Sequence, residues 1–238
     1  MNPLSVRDAL TLWEGGAARH PIDRALLLYA AACPQLPWPQ LADAPIGRRD
    51  GALLELRRAS FGPHIEAATD CPRCGERLAL TLDLDALLQA PGSAESVEVD
   101  GATFRLPTSR DLATVAQEDD VAAAAHRLFA LCRLPAGDPA DAGEQNAWPD
   151  DAVARVDAAL AAADPQADIC LALACEACGH RFDADFDIAA LLWQDVEAAA
   201  RRALLDVDAL ARVYGWSEQQ ILALSEARRA AYVELAGR

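Results

Sequence analysis

Cys71-Pro72-Arg73-Cys74-Gly75-Glu76-Arg77-Leu78 is written a second time, 104 positions later, as Cys175-Glu176-Ala177-Cys178-Gly179-His180-Arg181-Phe182. At the same offset Ile65 falls on Ile169, Asp83 on Asp187, and Ala86-Leu87-Leu88 on Ala190-Leu191-Leu192. Each copy reads as a strand, a Cys-x-x-Cys-Gly turn, a second strand and a helix capped by aspartate, and such repetition is rarely accidental. Two thiolates two residues apart on a tight turn can face one side of an ion, and the glycine that follows lets the backbone fold back so that amides point at sulfur. Each turn supplies half a tetrahedron. Two turns facing each other make a split zinc ribbon, with Cys71, Cys74, Cys175 and Cys178 as ligands of one structural Zn2+ per chain. A closed four-cysteine site has no open coordination position, so its metal is not expected to be catalytic.

An ordinary ribbon joins its halves by a far shorter connection, so residues 89–168 read as an insertion. They hold 15 acidic side chains against five arginines, which is ten of the chain's sixteen excess negative charges. Such a run is usually a solvated face, a docking surface for a basic partner being the sharper alternative. A thioredoxin-like pair would use one exposed Cys-x-x-Cys and leaves the repeat unexplained. Iron in a rubredoxin-like site takes the same four ligands, and spacing does not separate it from the commoner structural zinc. Cys33, Cys132 and Cys170 stand singly in apolar stretches and read as inert packing. His180, beside the second turn, reads as a surface or outer-sphere group. His20, His64 and His126 have no companion motif.

Outward from the repeat the chain reads as α+β and mostly helical. Ser5 and Asp8 have the form of a capping box for a helix to about Glu14, with Gly15 and Gly16 as its stop. A second helix starts at Pro21 and runs to Cys33, a proline-rich loop spans 34–45, and a third helix covers about 48–59. In the insertion, Val97, Val99 and then Thr103, Phe104, Leu106 flank the hairpin dipeptide Asp100-Gly101. Residues 109–133 and 150–163 read as helices either side of a Pro-, Gly- and Asp-rich loop. After Asp187 the pattern is helical, broken at Gly215 and near Ser225, with Ser217 and Ser225 as caps. Leu204, Val207, Leu210, Ala211 and Tyr214, then Ile221, Leu224, Tyr232 and Leu235, recur at helical spacing and read as a core-facing stripe. Five segments follow: an N-terminal helical region (1–63), a first knuckle (64–88), the acidic insertion with its hairpin and helices (89–168), a second knuckle (169–187) and a C-terminal helical region (188–238).

The chain has 37 acidic and 21 basic side chains, a formal charge of −16. Nucleic-acid surfaces are normally basic, so none is expected here. Every basic residue is arginine, which removes Schiff-base and phosphate-loop lysines. There is no Gly-x-Ser-x-Gly and no His-Glu-x-x-His. No apolar run approaches a membrane span and the N-terminus does not read as a leader, so a protein kept in the cytoplasm of the producing cell is expected. Neither an enzyme nor a small-molecule substrate is called for.

Leu12-Trp13-Glu14-Gly15 followed by Pro21-Ile22-Asp23-Arg24-Ala25-Leu26, then Pro45-Ile46-Gly47-Arg48-Arg49-Asp50 with Leu53-Leu54-Glu55-Leu56-Arg57 and Phe61-Gly62, then the first knuckle, resembles a baseplate-associated family. That family is encoded with the contractile tails of T-even-like phages and with phage-derived extracellular injection systems. Tyr214-Gly215-Trp216-Ser217-Glu218, with Arg228-Arg229 and Tyr232, is similar to its C-terminal pattern, while nothing in the insertion is matched. The resemblance implies a non-enzymatic baseplate or hub component, or an assembly chaperone absent from the finished particle, whose partners are baseplate, hub or tail proteins. It carries over no site residue beyond the cysteines. The alternative is a zinc-ribbon nucleic-acid or transcription accessory protein, which needs a basic face. A thiol oxidoreductase is a third reading and needs an exposed cysteine of low pKa.

Overall fold

Ser5 Oγ accepts the Asp8 amide while the Asp8 carboxylate accepts the Ser5 amide, so α1 (Val6–Gly16) begins at the expected capping box. It does not stop at the glycines. Gly16 is buried in the helix's last turn, where a Cβ would meet the Trp193 indole at 2.4 Å, so the glycine permits a close approach rather than a break. His20 Nδ1 accepts the Ile22 amide and caps α2 (Pro21–Ala32). The proline-rich stretch is not all loop, because Pro39 sits in the first turn of a short helix, α3 (Trp38–Ala42), where a missing amide costs nothing. α4 (Ile46–Phe61) ends at Gly62, φ +90°.

The computed structural model describes residues 1–89, 94–135 and 149–237. β1 (His64–Asp70) pairs antiparallel with β2 (Arg77–Asp83), followed by the single turn α5 (Leu84–Leu87). In the insertion, β3 (Ser96–Val99) and β4 (Ala102–Arg105) form the expected hairpin, with Asp100 at φ +51° and Gly101 at +77° as a two-residue turn of left-handed residues. The single helix expected over 109–133 is two, α6 (Ser109–Val115) and α7 (Val121–Cys132), because Asp120 accepts the Ala122 amide and starts a new helix. α8 (Asp150–Ala163) follows. Of the loop expected between α7 and α8, residues 136–148 lie outside the described residues. β5 (Cys170–Ala174) pairs antiparallel with β6 (Arg181–Asp185), and α9 (Ile188–Tyr214), α10 (Glu218–Leu222) and α11 (Glu226–Ala236) complete the chain. Gly215 (φ +68°) ends α9, and Ser217 and Ser225 cap the last two helices as expected.

The principal core joins both ends of the sequence. Leu28 and Tyr29 of α2, Leu53, Leu54 and Leu56 of α4, Ile65 and Leu84 pack with Ile188, Leu192 and Val196 of α9. Burial of this kind contributes roughly 1.5–3 kcal/mol per large apolar side chain. The insertion has a smaller cluster of its own, Phe104, Leu106, Phe129, Val156 and Leu160. Beyond Ala203 only part of the expected apolar stripe is inside: Leu210 and Ile221 are buried, but Leu204 is 40% and Leu235 53% exposed. Arg229, itself buried, pins α11 to α9 through Asp206 at 2.8 Å. The architecture is α+β with small antiparallel sheets. The three hairpins remain separate two-stranded sheets, so among the described residues no strand pairing joins the two knuckle hairpins into one ribbon.

Candidate metal centre

The two turns are built alike. In the first, the Cys71 amide donates to Glu76 O (2.8 Å) and the Gly75 amide to Cys71 O (2.9 Å); in the second, the Cys175 amide donates to His180 O and the Gly179 amide to Cys175 O, both at 2.8 Å. Gly75 and Gly179 lie at φ +74° and +68°, a left-handed step that glycine takes without Cβ strain. The repeat extends to the helices. Asp83 accepts the Asp85 amide to cap α5, and Asp187 accepts the Ala190 amide to cap α9. One copy of the unit therefore ends in a single turn and the other in the longest helix of the fold.

The structure brings all four sequence-selected cysteines together. Cys71 Sγ lies 3.8 Å from Cys178 Sγ, Cys74 Sγ lies 3.7 Å from Cys175 Sγ, and all four sulfurs are within 4.8 Å of one another. An ion bound tetrahedrally at about 2.3 Å from sulfur requires sulfur–sulfur edges of roughly 3.8 Å, so the donor set fits a tetrahedral metal. The separations are too long for a disulfide, whose sulfurs lie about 2.05 Å apart. Burial opposes ionisation of Cys71, but the amides of Arg73 and Cys74 and the neighbouring thiols Cys74 and Cys178 bring it down to about 7. The Glu76 amide favours the Cys74 thiolate, yet Cys178, burial, Cys71 and Cys175 together push that thiol up to about 12. The crowding that raises Cys74 is what a bound divalent cation would offset.

The remaining sulfur and imidazole groups stand apart. Cys132 is buried, its thiol pushed up to about 11 by burial and by Asp111; Cys33 is half-buried and burial raises it too. Cys170 departs from the expected inert packing. It is exposed on β5, within 3.7 Å of Asp168 and 3.8 Å of Asp185, and desolvation and those carboxylates raise its thiol. His180 is half-buried and stacks on Phe182 with centroids 6.0 Å apart; it is not one of the four clustered donors.

A second polar cluster forms the joint between α4 and the insertion. Ile46 donates its amide to Pro107 O at 3.0 Å, and the Gly47 amide reaches the buried Asp164 carboxylate at 2.9 Å. Arg49, buried, grips Asp50 with two nitrogens at 2.7 and 3.2 Å and donates to Ser109 Oγ at 3.0 Å. Gln166 accepts the Gln89 amide and donates to Leu87 O. Burial raises the Asp50 carboxyl against the pull of Arg49, and burial raises Asp164 against the Gly47 amide and Arg48. The joint was hidden in the sequence because its partners lie 60 to 117 positions away. Its one visible signal is the motif Pro45-Ile46-Gly47-Arg48-Arg49-Asp50. A groove of about 440 Å³ opens beside it, lined in part by Arg48, Gln89, Glu95, Asp164 and Gln166.

The fold thus carries a four-cysteine cluster and a polar joint, and the comparison with known families places part of it. The model of the family described as T4 bacteriophage base plate protein matches residues 25–132, a little under half of the chain. The resemblance read from the sequence is thereby shown. The match takes in most of α2, the α4 joint motif, the first knuckle and the insertion as far as Cys132, where sequence motifs alone found nothing; the second knuckle and the C-terminal helices lie beyond it. No curated protein matches the chain, and no solved structure does. Among the described residues no helix is long and apolar enough to cross a membrane.

Proposed function

We propose that this chain is a non-enzymatic component of the baseplate or hub of a phage-like contractile injection system, or an assembly factor for it, held in shape by one structural zinc. The family match over residues 25–132 carries the reading. The matched stretch contains Cys71 and Cys74, half of the cysteine cluster, and the α4 side of the joint. The ion's role is architectural. It ties two hairpins about 100 positions apart in the chain, a link that shared strand pairing does not supply. The partners are baseplate, hub or tail proteins met in the cytoplasm of the producing cell, with no nucleic acid and no small-molecule substrate. Affinity purification of the tagged chain during particle production, with mass spectrometry of the complex and of finished particles, tests this. Baseplate or spike proteins in the complex are expected, and presence in or absence from particles separates component from chaperone. Recovery of RNA polymerase subunits or nucleic acid instead overturns the reading.

A further inference from the structure

We propose that the four-cysteine centre is also a peroxide modification site, at which hydrogen peroxide converts the thiolates into disulfides running across the two knuckles, Cys74–Cys175 and Cys71–Cys178, and releases the metal. The released ion rests on the zinc reading above; the pairing rests on the sulfur geometry alone.

Each cross-knuckle pair joins a residue that is open to solvent at least in part to one that is buried. Cys74 is exposed and faces buried Cys175 at 3.7 Å; Cys178 is half-buried and faces buried Cys71 at 3.8 Å. Both contacts are oriented so that either thiol can donate to the other. This is the arrangement of an attacking sulfur backed by a resolving one. Cys74 attacks a peroxide oxygen as its thiolate, its proton displaced by the ion or, without one, passed to solvent in the slower reaction of the metal-free chain; the O–O bond breaks, and Cys74 becomes a sulfenic acid with release of hydroxide. The Cys175 thiolate then attacks that sulfur, the S–O bond breaks, hydroxide leaves and the disulfide forms. The same two steps at Cys178 and Cys71 complete the exchange. Four thiolates and two peroxides thus yield two disulfides, four hydroxides and one free divalent ion. The three remaining thiols lack a facing sulfur: Cys132 is buried, Cys33 is half-buried and Cys170 lies between two carboxylates.

The topology gives the pairing its consequence. Disulfides within each Cys-x-x-Cys would leave the hairpins unconnected once the ion departs. Cross-knuckle disulfides close spans of 101 and 107 positions and remake covalently the link that the ion had made, so the oxidised chain stays clamped.

The full-length purified chain, its zinc content measured first, is treated with hydrogen peroxide, alkylated and digested with trypsin and a glutamyl endopeptidase. Arg73 lies between Cys71 and Cys74 and Glu176 between Cys175 and Cys178, so the four cysteines of the centre leave on four different peptides; Cys175 shares its peptide with Cys170, and fragmentation of the linked peptide tells the two apart. Mass spectrometry is expected to find Cys74 joined to Cys175 and Cys71 to Cys178. One ion should be released per two peroxides consumed, and the melt should become sensitive to dithiothreitol. In Cys74→Ser only the Cys71–Cys178 link should form. Linkages within a knuckle, scrambled linkages, or sulfinic and sulfonic products without linkage overturn the proposal. A chain purified without metal defeats the zinc reading, while the pairing is still read on the reduced protein.

Discussion

The Gly47 amide donates to the Asp164 carboxylate at 2.9 Å across 117 positions of sequence, and a Cβ on Gly47 would stand 1.8 Å from that carboxylate's other oxygen. The fit leaves no room for any other residue. Gly47→Ala is expected to cost about 1–3 kcal/mol, the range for forcing atoms into a packed site. Asp164→Ala removes both the clash and the bond, so the double variant should lose less than the sum of the singles. Urea unfolding of all four proteins reads the coupling; strictly additive losses would falsify the contact.

Arg49 and Asp50 make the second test of the joint. Both are buried, and removing the arginine leaves a buried carboxylate and Ser109 without their charged partner. Arg49→Met should cost about 3–5 kcal/mol, whereas Arg49→Met with Asp50→Asn should recover a substantial part, because an unpaired buried charge is the main penalty. Equal losses in the single and the double variant would show that the pair's charge is immaterial.

The carboxylates of the insertion respond to pH with opposite signs. Burial works against Asp111, but its hydrogen bonds with Arg105 and Thr108 hold its carboxyl below the usual range. Its contribution is therefore present above the ordinary carboxylate pKa of about 4 and is lost as pH falls through the lowered folded value. Asp164 is raised by burial, so the folded state binds its proton more tightly and stability falls as pH climbs from about 4 through the folded pKa. Relative to the parent, Asp111→Asn should become less destabilising on acidification, and Asp164→Asn should gain between pH 3.5 and 7. Denaturant midpoints measured against the parent at each pH decide the signs.

About one zinc per chain is expected by elemental analysis, and Cys74→Ser or Cys178→Ser should lower Tm. Structural zinc contributes roughly 10–16 kcal/mol in small domains, and each kcal/mol moves Tm by about 2–4 °C at this size. Loss of one thiolate, leaving part of the binding intact, is expected to lower Tm by roughly 5–15 °C. An unchanged melt in a metal-free chain would remove the ion from any structural role.

Residues whose meaning is local were legible in the sequence. A capping box at Ser5 and Asp8, a left-handed turn at Asp100-Gly101 and the Cys-x-x-Cys-Gly knuckles are each set by a few neighbouring φ/ψ preferences, and each stands where the pattern puts it. The repeat went further, because like turns at a fixed offset single out four cysteines whose sulfurs the fold brings within 4.8 Å of one another. Periodicity alone misjudged Leu204 and Leu235, since helical spacing marks a face without saying whether another element covers it. It likewise missed the break at Asp120, where a side chain captures an amide and restarts the helix.

By itself, then, the sequence determined most of the helical and hairpin units, the four cysteines that the fold gathers and the likeness to a baseplate family. Tertiary structure alone decided that Cys71 faces Cys178 and Cys74 faces Cys175, that the knuckles stay separate hairpins, and that Gly47 and Arg49 fasten the insertion. The physical reason is range. Backbone preference and spacing act over a few residues, whereas burial of a carboxylate, a guanidinium or a thiol depends on surfaces that meet only after chain segments more than 50 positions apart have packed.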